Sequence, residues 1–166
     1  MPARRSHDLA DTVSLLIEAA GYVREQISAD IAAATGLQAP WFETLLRLHR
    51  TPGEVTRLSE MAERIGYPQS SFSRLADRME EAGLITRAPD PANRRATLIR
   101  TTDAGGAALD HALRAYVDSS RRHVAAFLDD DDLDHLERIT RKLRDANLPG
   151  YGHKHDPGDV AGRPEQ

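Results

Sequence analysis

The stretch from residue 69 to residue 78 carries side chains suited to binding nucleic acid. It combines one amide, three hydroxyl groups and two guanidinium groups, contributed by Gln69, Ser70, Ser71, Ser73, Arg74 and Arg78. Such groups bind phosphate oxygens and base edges in the major groove of DNA. Phe72, Leu75 and Met79 recur at helical spacing and would form the apolar face of the same helix. An ordinary helix with a solvated polar face gives the same pattern, so the spacing alone leaves both interpretations open.

The segment before residue 69 has the features of a helix-turn-helix. Residues 58–65 predict a short helix, and Gly66, Tyr67 and Pro68 interrupt it. Ala62 is a small residue that lets two helices approach closely, and Gly66 lies where the turn between them is expected. This arrangement would hold the polar helix in place and leave its hydrophilic face exposed.

A hairpin is predicted directly after that helix. Residues 84–87 and 96–101 have the composition of two short strands, and residues 88–95 would form a polar loop longer than a tight turn. The loop contains Arg94 and Arg95, and arginine is favoured in a narrow, electronegative minor groove. A solvated turn explains the two arginines equally simply, but a hairpin after a helix-turn-helix favours a winged helix.

Amphipathic helices are predicted on both sides of this region. Residues 8–34 place apolar side chains in steps of three and four, and such a helix would be about 39 Å long at 1.5 Å per residue. Further apolar stripes run through residues 109–128 and 133–146. Because a small domain cannot cover so long a first helix, we expect part of its face to contact another chain.

Composition limits the class of protein. The 166 residues are 40% hydrophobic and include no cysteine, which excludes disulfides, thiolate zinc sites and thiol chemistry. No apolar run approaches the roughly 18 residues of a membrane span. We therefore expect a cytoplasmic, nucleoid-associated protein with no membrane partner.

Charge is distributed unevenly. The net charge is −4, which by itself does not suggest nucleic-acid binding. Residues 70–101 nevertheless contain six arginines and four acidic residues, whereas aspartates gather between residues 129 and 134. A weakly basic centre between acidic ends is compatible with a DNA-binding surface without establishing one.

Signatures of enzymes and metal sites are poor in this sequence. It contains no nucleophile elbow, no phosphate-binding glycine loop and no HExxH motif. His111 and His123 would lie about 18 Å apart along one helix, too far to share an ion. We expect no catalytic residue, no metal site and no cofactor.

Three motifs in register resemble the MarR-type winged-helix transcriptional regulators. The resemblance covers roughly residues 8–147. The three motifs that carry it are Leu58–Gly66, Gln69–Ile85 and Asp90–Ala96, and Thr101–Gly105 also fits the start of the family's fifth helix. It implies a homodimer whose first and last two helices interlock. It also implies a repressor or an activator that binds a near-palindromic operator.

The resemblance assigns roles by position. Ser70, Ser71, Ser73 and Arg74 fall on the face that reads the major groove, and Arg94 falls on the wing arginine that enters the minor groove. Asp90 matches the wing acid that braces an arginine, with Arg95 as the expected partner. With Gln69, Arg78 and Arg95 these complete the predicted DNA-binding set.

Two positions depart from the family pattern. Pro68 stands where a serine often caps the recognition helix, and Asn93 stands where an aspartate is usual. The first turn of the recognition helix and the bracing of the wing are therefore expected to differ.

A small-molecule effector is a further expectation from the resemblance. In the family, effectors bind near the second helix, between the dimerisation and DNA-binding regions. Tyr22, Trp41 and Phe42 would line such a site, although plain core packing explains aromatic residues at helical spacing. An aromatic or phenolic acid is the ligand class expected, since the absence of cysteine closes the peroxide-sensing route.

The predicted fold is mainly α-helical with a small β-hairpin wing. Residues 1–36 form an N-terminal dimerisation helix, 37–102 the winged helix-turn-helix domain, 103–147 the C-terminal dimerisation helices, and 148–166 a disordered tail. The predicted function is a dimeric, sequence-specific regulator, expected to act as a repressor that a ligand releases. The alternative is a protein-interaction or antirepressor module with little DNA affinity, which the net charge keeps open.

Overall fold

The computed structural model describes residues 6–51, 53 and 55–147, and within them the chain is mainly α-helical with one three-stranded sheet. A short 3-10 turn at Ala125–Phe127 separates the last two helices. In chain order the helices and strands are α1 (Ser6–Thr35), α2 (Ala39–His49), β1 (Val55–Arg57), α3 (Leu58–Arg64), α4 (Gln69–Glu81), β2 (Ile85–Asp90), β3 (Asn93–Thr101), α5 (Asp103–His123) and α6 (Asp130–Asn147). The prediction of a winged helix flanked by long helices is confirmed.

The first helix packs only at its C-terminal end. Ile31 is buried and Ile27 lies against the core, whereas Leu9, Val13 and Leu16 are exposed. Its main contact within the chain is with α5. An apolar stripe therefore continues along α1 well beyond the part that this chain covers.

The sheet has the order β1-β3-β2, and both strand pairs are antiparallel. The strand β1 was not predicted, because Val55–Arg57 is too short for a period of two to show in the sequence. The hairpin is also longer than predicted, since Asp90 pairs with Asn93 and leaves only residues 91 and 92 at the tip. The expectation of a long polar loop was wrong because a proline at residue 89 and a run of polar residues at 93–95 hide the strand pattern at these added positions.

The core lies where α2, α3 and α4 meet the sheet and the C-terminal end of α1. Leu45, Leu48, Met61, Phe72, Met79 and Ile99 are all fully buried there. The helix α5 closes the core with Leu109 and is docked at the base of the wing, where a Cβ at Gly105 would collide with the Leu84 carbonyl oxygen. Thr102 caps α5, its hydroxyl oxygen accepting a hydrogen bond from the Gly105 amide at 3.0 Å.

The last helix stands apart from this core. Within the described part of the chain α6 has no buried residue, and Leu136, Ile139 and Leu143 form an exposed apolar stripe. The aspartates at its start lie in the first turn, where the helix dipole favours negative charge. None of the described helices is both long and apolar enough to cross a membrane. The tail predicted over residues 148–166 lies outside the described residues.

Candidate nucleic-acid interface

The helix α4 divides cleanly into a buried and an exposed face. Its buried residues are Phe72, Leu75, Ala76 and Met79, and its exposed residues include the predicted DNA-binding residues Gln69, Ser70, Ser71, Arg74 and Arg78, with Ser73 half-buried beside them. The turn before the helix requires the positive φ of +71° found at Gly66. It is closed by a hydrogen bond of 2.9 Å from the Tyr67 amide to the Ala62 carbonyl. The sequence therefore folds locally so that the whole polar set faces outward.

The first turn of α4 has no side-chain cap. Pro68 occupies the cap position and makes no capping hydrogen bond, and the first turn contains no acidic residue. Helix N-termini with open amide groups attract anions through those groups and the helix dipole. The departure from the family pattern at Pro68 thus leaves this end suited to a phosphate.

The exposed arginines of α4 have no partner within the part of the chain that the structure describes. In residues 6–51, 53 and 55–147 neither Arg74 nor Arg78 makes a hydrogen bond or an ion pair. Guanidinium groups in this state bind phosphate or the edge of a guanine without first breaking an ion pair. The helix therefore presents two cationic side chains that are available to a ligand.

Arg94 and Arg95 are both exposed near the tip of the wing. The amide of Arg95 donates a hydrogen bond of 3.2 Å to Oδ1 of Asn93, and the described residues offer neither guanidinium an ion-pair partner. The predicted pairing of Arg95 with Asp90 is therefore absent. Both wing arginines stay free to reach outward.

The wing acid is instead braced by Arg57, at the end of β1. Nε and Nη2 of Arg57 both lie 2.8 Å from Oδ2 of Asp90, while Oδ1 accepts a hydrogen bond of 2.8 Å from the Ala92 amide. The expectation of Arg95 was wrong because β1 pairs with β3 on the side away from β2 and brings Arg57 to the hairpin. Asp90 is buried, and the Ala92 amide together with Arg57 lowers its pKa. Its position suits a group that shapes the wing rather than one that contacts DNA.

A second ion-pair cluster links the wing to α4. Nη1 of Arg87 lies 2.6 Å from Oδ1 of Asp77, and Nη2 lies 2.7 Å from Oε2 of Glu80. The Arg87 amide also donates a hydrogen bond of 3.0 Å to Oε1 of Glu80. These contacts, led by the hydrogen bond with Glu80, raise the pKa of Arg87. Sequence reasoning missed this cluster, since its only signal is two acids three residues apart followed by an arginine beyond a tight turn.

The three predicted effector-site residues have different surroundings. Phe42 is buried and stacks on Tyr116 of α5, with ring centroids 5.7 Å apart. This is the core packing that was the alternative to an effector-binding role. Trp41 is half-buried against the core, and Tyr22 is 62% exposed on α1. Tyr116, which joins α2 to α5, was not among the predicted effector-site residues.

The described residues contain no group of three or more histidine, cysteine, aspartate or glutamate side chains placed to hold a metal ion. His123 lies instead beside Asp30, with Nε2 and Oδ2 3.1 Å apart. Arg122 and Ser119 bind the same carboxylate oxygen at 2.8 and 2.5 Å. This cluster ties the end of α5 to α1.

Comparison with known proteins identifies the winged helix. The sequence model of the MarR family matches residues 35–96. Over these residues the chain is similar to the MarR family. The match spans the helix-turn-helix and most of the wing, the region that the three sequence motifs singled out.

Solved MarR-family structures share the fold over most of both chains. A MarR family transcriptional regulator from Streptomyces coelicolor in complex with DNA is 21% identical, with a TM-score of 0.74, and the match covers 93% of this chain and 96% of that one. AbsC, a MarR family transcriptional regulator from the same organism, is 25% identical with a TM-score of 0.68 and coverage of 87% and 99%. A mutant of MarR from E. coli complexed with operator DNA is 17% identical with a TM-score of 0.69 and coverage of 89% and 100%. The predicted fold is thus confirmed, and the family-model match agrees with the predicted resemblance to the MarR-type regulators.

Proposed function

We propose that this MarR-family chain is a dimeric, sequence-specific DNA-binding regulator. The observation that carries the proposal is the selective pairing of its arginines. Arg57 and Arg87 are held by carboxylates, whereas the exposed Arg74, Arg78 and Arg94 have no partner among the described residues. A surface whose exposed arginines are not paired with carboxylates is suited to binding a polyanion such as DNA.

This geometry supports the following assignment of contacts. The face of α4 that carries Ser70, Ser71, Ser73 and Arg74 enters the major groove, where the hydroxyl and guanidinium groups read base edges. Gln69 and Arg78 flank it and bind phosphates. Arg94, with Arg95 beside it, inserts its cationic side chain into the adjacent minor groove. Asp90 acts indirectly, by holding the hairpin through Arg57.

Dimerisation makes use of the apolar stripes that this chain leaves uncovered. Residues 1–36 and 103–147 contain the stripes of α1, α5 and α6, and residues 37–102 form the DNA-binding domain. A two-fold dimer would place two copies of α4 in successive major grooves and would therefore bind a near-palindromic operator.

Repression with release by a ligand is the regulatory mode we propose. The stacked pair Phe42 and Tyr116 joins α2, in the DNA-binding domain, to α5, in the dimerisation region. A small aromatic or phenolic acid bound beside Trp41 would change this junction. Quenching of Trp41 fluorescence, together with loss of DNA binding at the same ligand concentrations, is the expected result. Quenching without release would contradict the proposed regulation.

The direct test compares two duplexes by fluorescence anisotropy. One is taken from the region upstream of the chain's own gene, and the other has the same length and base composition in scrambled order. We expect the first to be bound at least about a thousandfold more tightly, the lower end for specific over non-specific binding. Absence of binding to both duplexes would contradict the proposal and favour the protein-interaction or antirepressor alternative.

A further inference from the structure

The acidic residues of α4 lie close to the cations that the proposed function uses. Asp77 is three residues after Arg74 and next to Arg78, and Glu80 follows one turn after Ala76. Side chains three apart on a helix are neighbours and form ion pairs when their charges are opposite. The sequence alone therefore offers Asp77 as a partner for Arg74.

The structure shows a different pairing. Oδ1 of Asp77 binds Nη1 of Arg87 at 2.6 Å, while Arg74 has no partner among the described residues. Arg87 is the least exposed member of its cluster, at 24% against 48% for Asp77, and it contacts Glu80 through both its side chain and its backbone amide. Glu80 thus holds Arg87 in place, and Arg87 in turn holds Asp77.

This arrangement has two electrostatic consequences. A carboxylate beside a phosphate backbone repels it, and a cation 2.6 Å away offsets that repulsion. A carboxylate that pairs with Arg74 would also compete with DNA for that guanidinium. By occupying Asp77, Arg87 removes both penalties without touching the nucleic acid.

We propose that Arg87 is a positioning residue that keeps Arg74 open for DNA by holding Asp77 away from it. This inference rests on the proposed DNA-binding function. It assigns to β2 a part in recognition that is separate from the wing tip. It also predicts that the loss caused by removing Arg87 depends on the charge of Asp77.

The test measures the operator affinity of the full chain, and its preference at the base pair that Arg74 reads, for Arg87→Gln, Asp77→Asn and the double variant. We expect Arg87→Gln to weaken operator binding about tenfold, because each half-site of the dimer loses a binding free energy similar to that of a surface ion pair. If Asp77 then captures Arg74 in both protomers, the preference at the base pair that Arg74 reads relaxes, as it does for Arg74→Ala. The double variant is expected to recover most of both losses, and Asp77→Asn alone to bind slightly more tightly than the unchanged chain.

Arg121→Gln is the matched control, because it removes one arginine from an exposed ion pair on α5, at Asp118. It is expected to leave operator affinity unchanged. Thermal unfolding of every variant reports whether the fold is kept. Equal loss in Arg87→Gln and the double variant would show that Arg87 only tethers the wing, and would overturn the inference. Wild-type affinity of Arg87→Gln would overturn it as well, whereas failure of the unchanged chain to bind any duplex would overturn the proposed function itself.

Discussion

Arg74 is the side chain on which sequence recognition depends most directly in this account. It lies on the exposed face of α4 and has no partner among the residues that the structure describes. Arg74→Ala is predicted to cost about 1–3 kcal/mol per half-site and to relax preference at one base pair, as expected for a bidentate contact to guanine. Competition with single-base variants of the operator measures this. An equal loss on every sequence would instead make Arg74 a phosphate contact.

Asp30 provides a test at the residue scale that does not involve DNA. Hydrogen bonds from Ser119 and Arg122 lower its pKa from 3.8 to about 2, with a smaller effect from His123. Because the pKa is lower in the folded state, the stabilisation is fully present above pH 3.8 and is lost as the pH falls towards about 2. The difference in urea midpoint between the unchanged chain and Asp30→Asn is predicted to shrink over this range. A difference that stays constant would contradict the assignment, and Asp118→Asn is a control at an exposed ion pair.

At the scale of elements, the wing is predicted to supply electrostatic affinity more than sequence information. Arg94 lies beside a two-residue tip, from which a long cationic side chain reaches a minor groove with a degenerate base code. Arg94→Ala is predicted to weaken binding on all sequences and to flatten the salt slope by about 1.8 for the dimer. Titrations between about 50 and 200 mM salt measure that slope. Unchanged slope and affinity would mean that the wing does not touch DNA.

The helices and the wing strands also show what the sequence could predict. Apolar spacing placed α1, α3, α4 and α6 within a few residues, and Gly66 marked a turn through its local chemistry. The end of α5 at His123 was missed, because no glycine or proline interrupts the apolar pattern that continues to Leu128. Short strands and long-range pairs are weaker signals, since β1 and the bond between Arg57 and Asp90 depend on how distant segments pack.

The candidate site follows the same division. The exposed face of α4 was predictable because a helix sorts its residues by a fixed period. The cluster of Arg87 with Asp77 and Glu80 was not, because it requires the angle between α4 and β2. The predicted DNA contacts remain predictions, and the structure adds to them the pairing that leaves Arg74 and Arg94 open.

On the scale of the whole molecule, the uncovered stripes of α1 and α6 predict an obligate dimer. The apolar side chains of these stripes are between 38% and 56% exposed at Leu9, Val13, Leu136 and Leu143. Monomeric soluble proteins rarely expose large contiguous apolar patches, and such patches mark interaction sites. Replacing Leu136 and Leu143 with glutamate is predicted to cause aggregation or unfolding. Light scattering and sedimentation check this, and glutamate at Arg138 and Lys142, on the same helix, serves as a control for added charge. A folded monomer of the unchanged chain at micromolar concentration would contradict the prediction.

Selection of bound duplexes from a random DNA library tests whether a two-fold dimer of this chain reads sequence with α4. A two-fold dimer predicts enrichment of an inverted repeat whose half-site centres are about 10 base pairs apart. It also predicts that Arg74→Ala relaxes the enriched sequence at one position in each half-site. Recovery of unenriched duplexes, or of a sequence without two-fold symmetry, would contradict it.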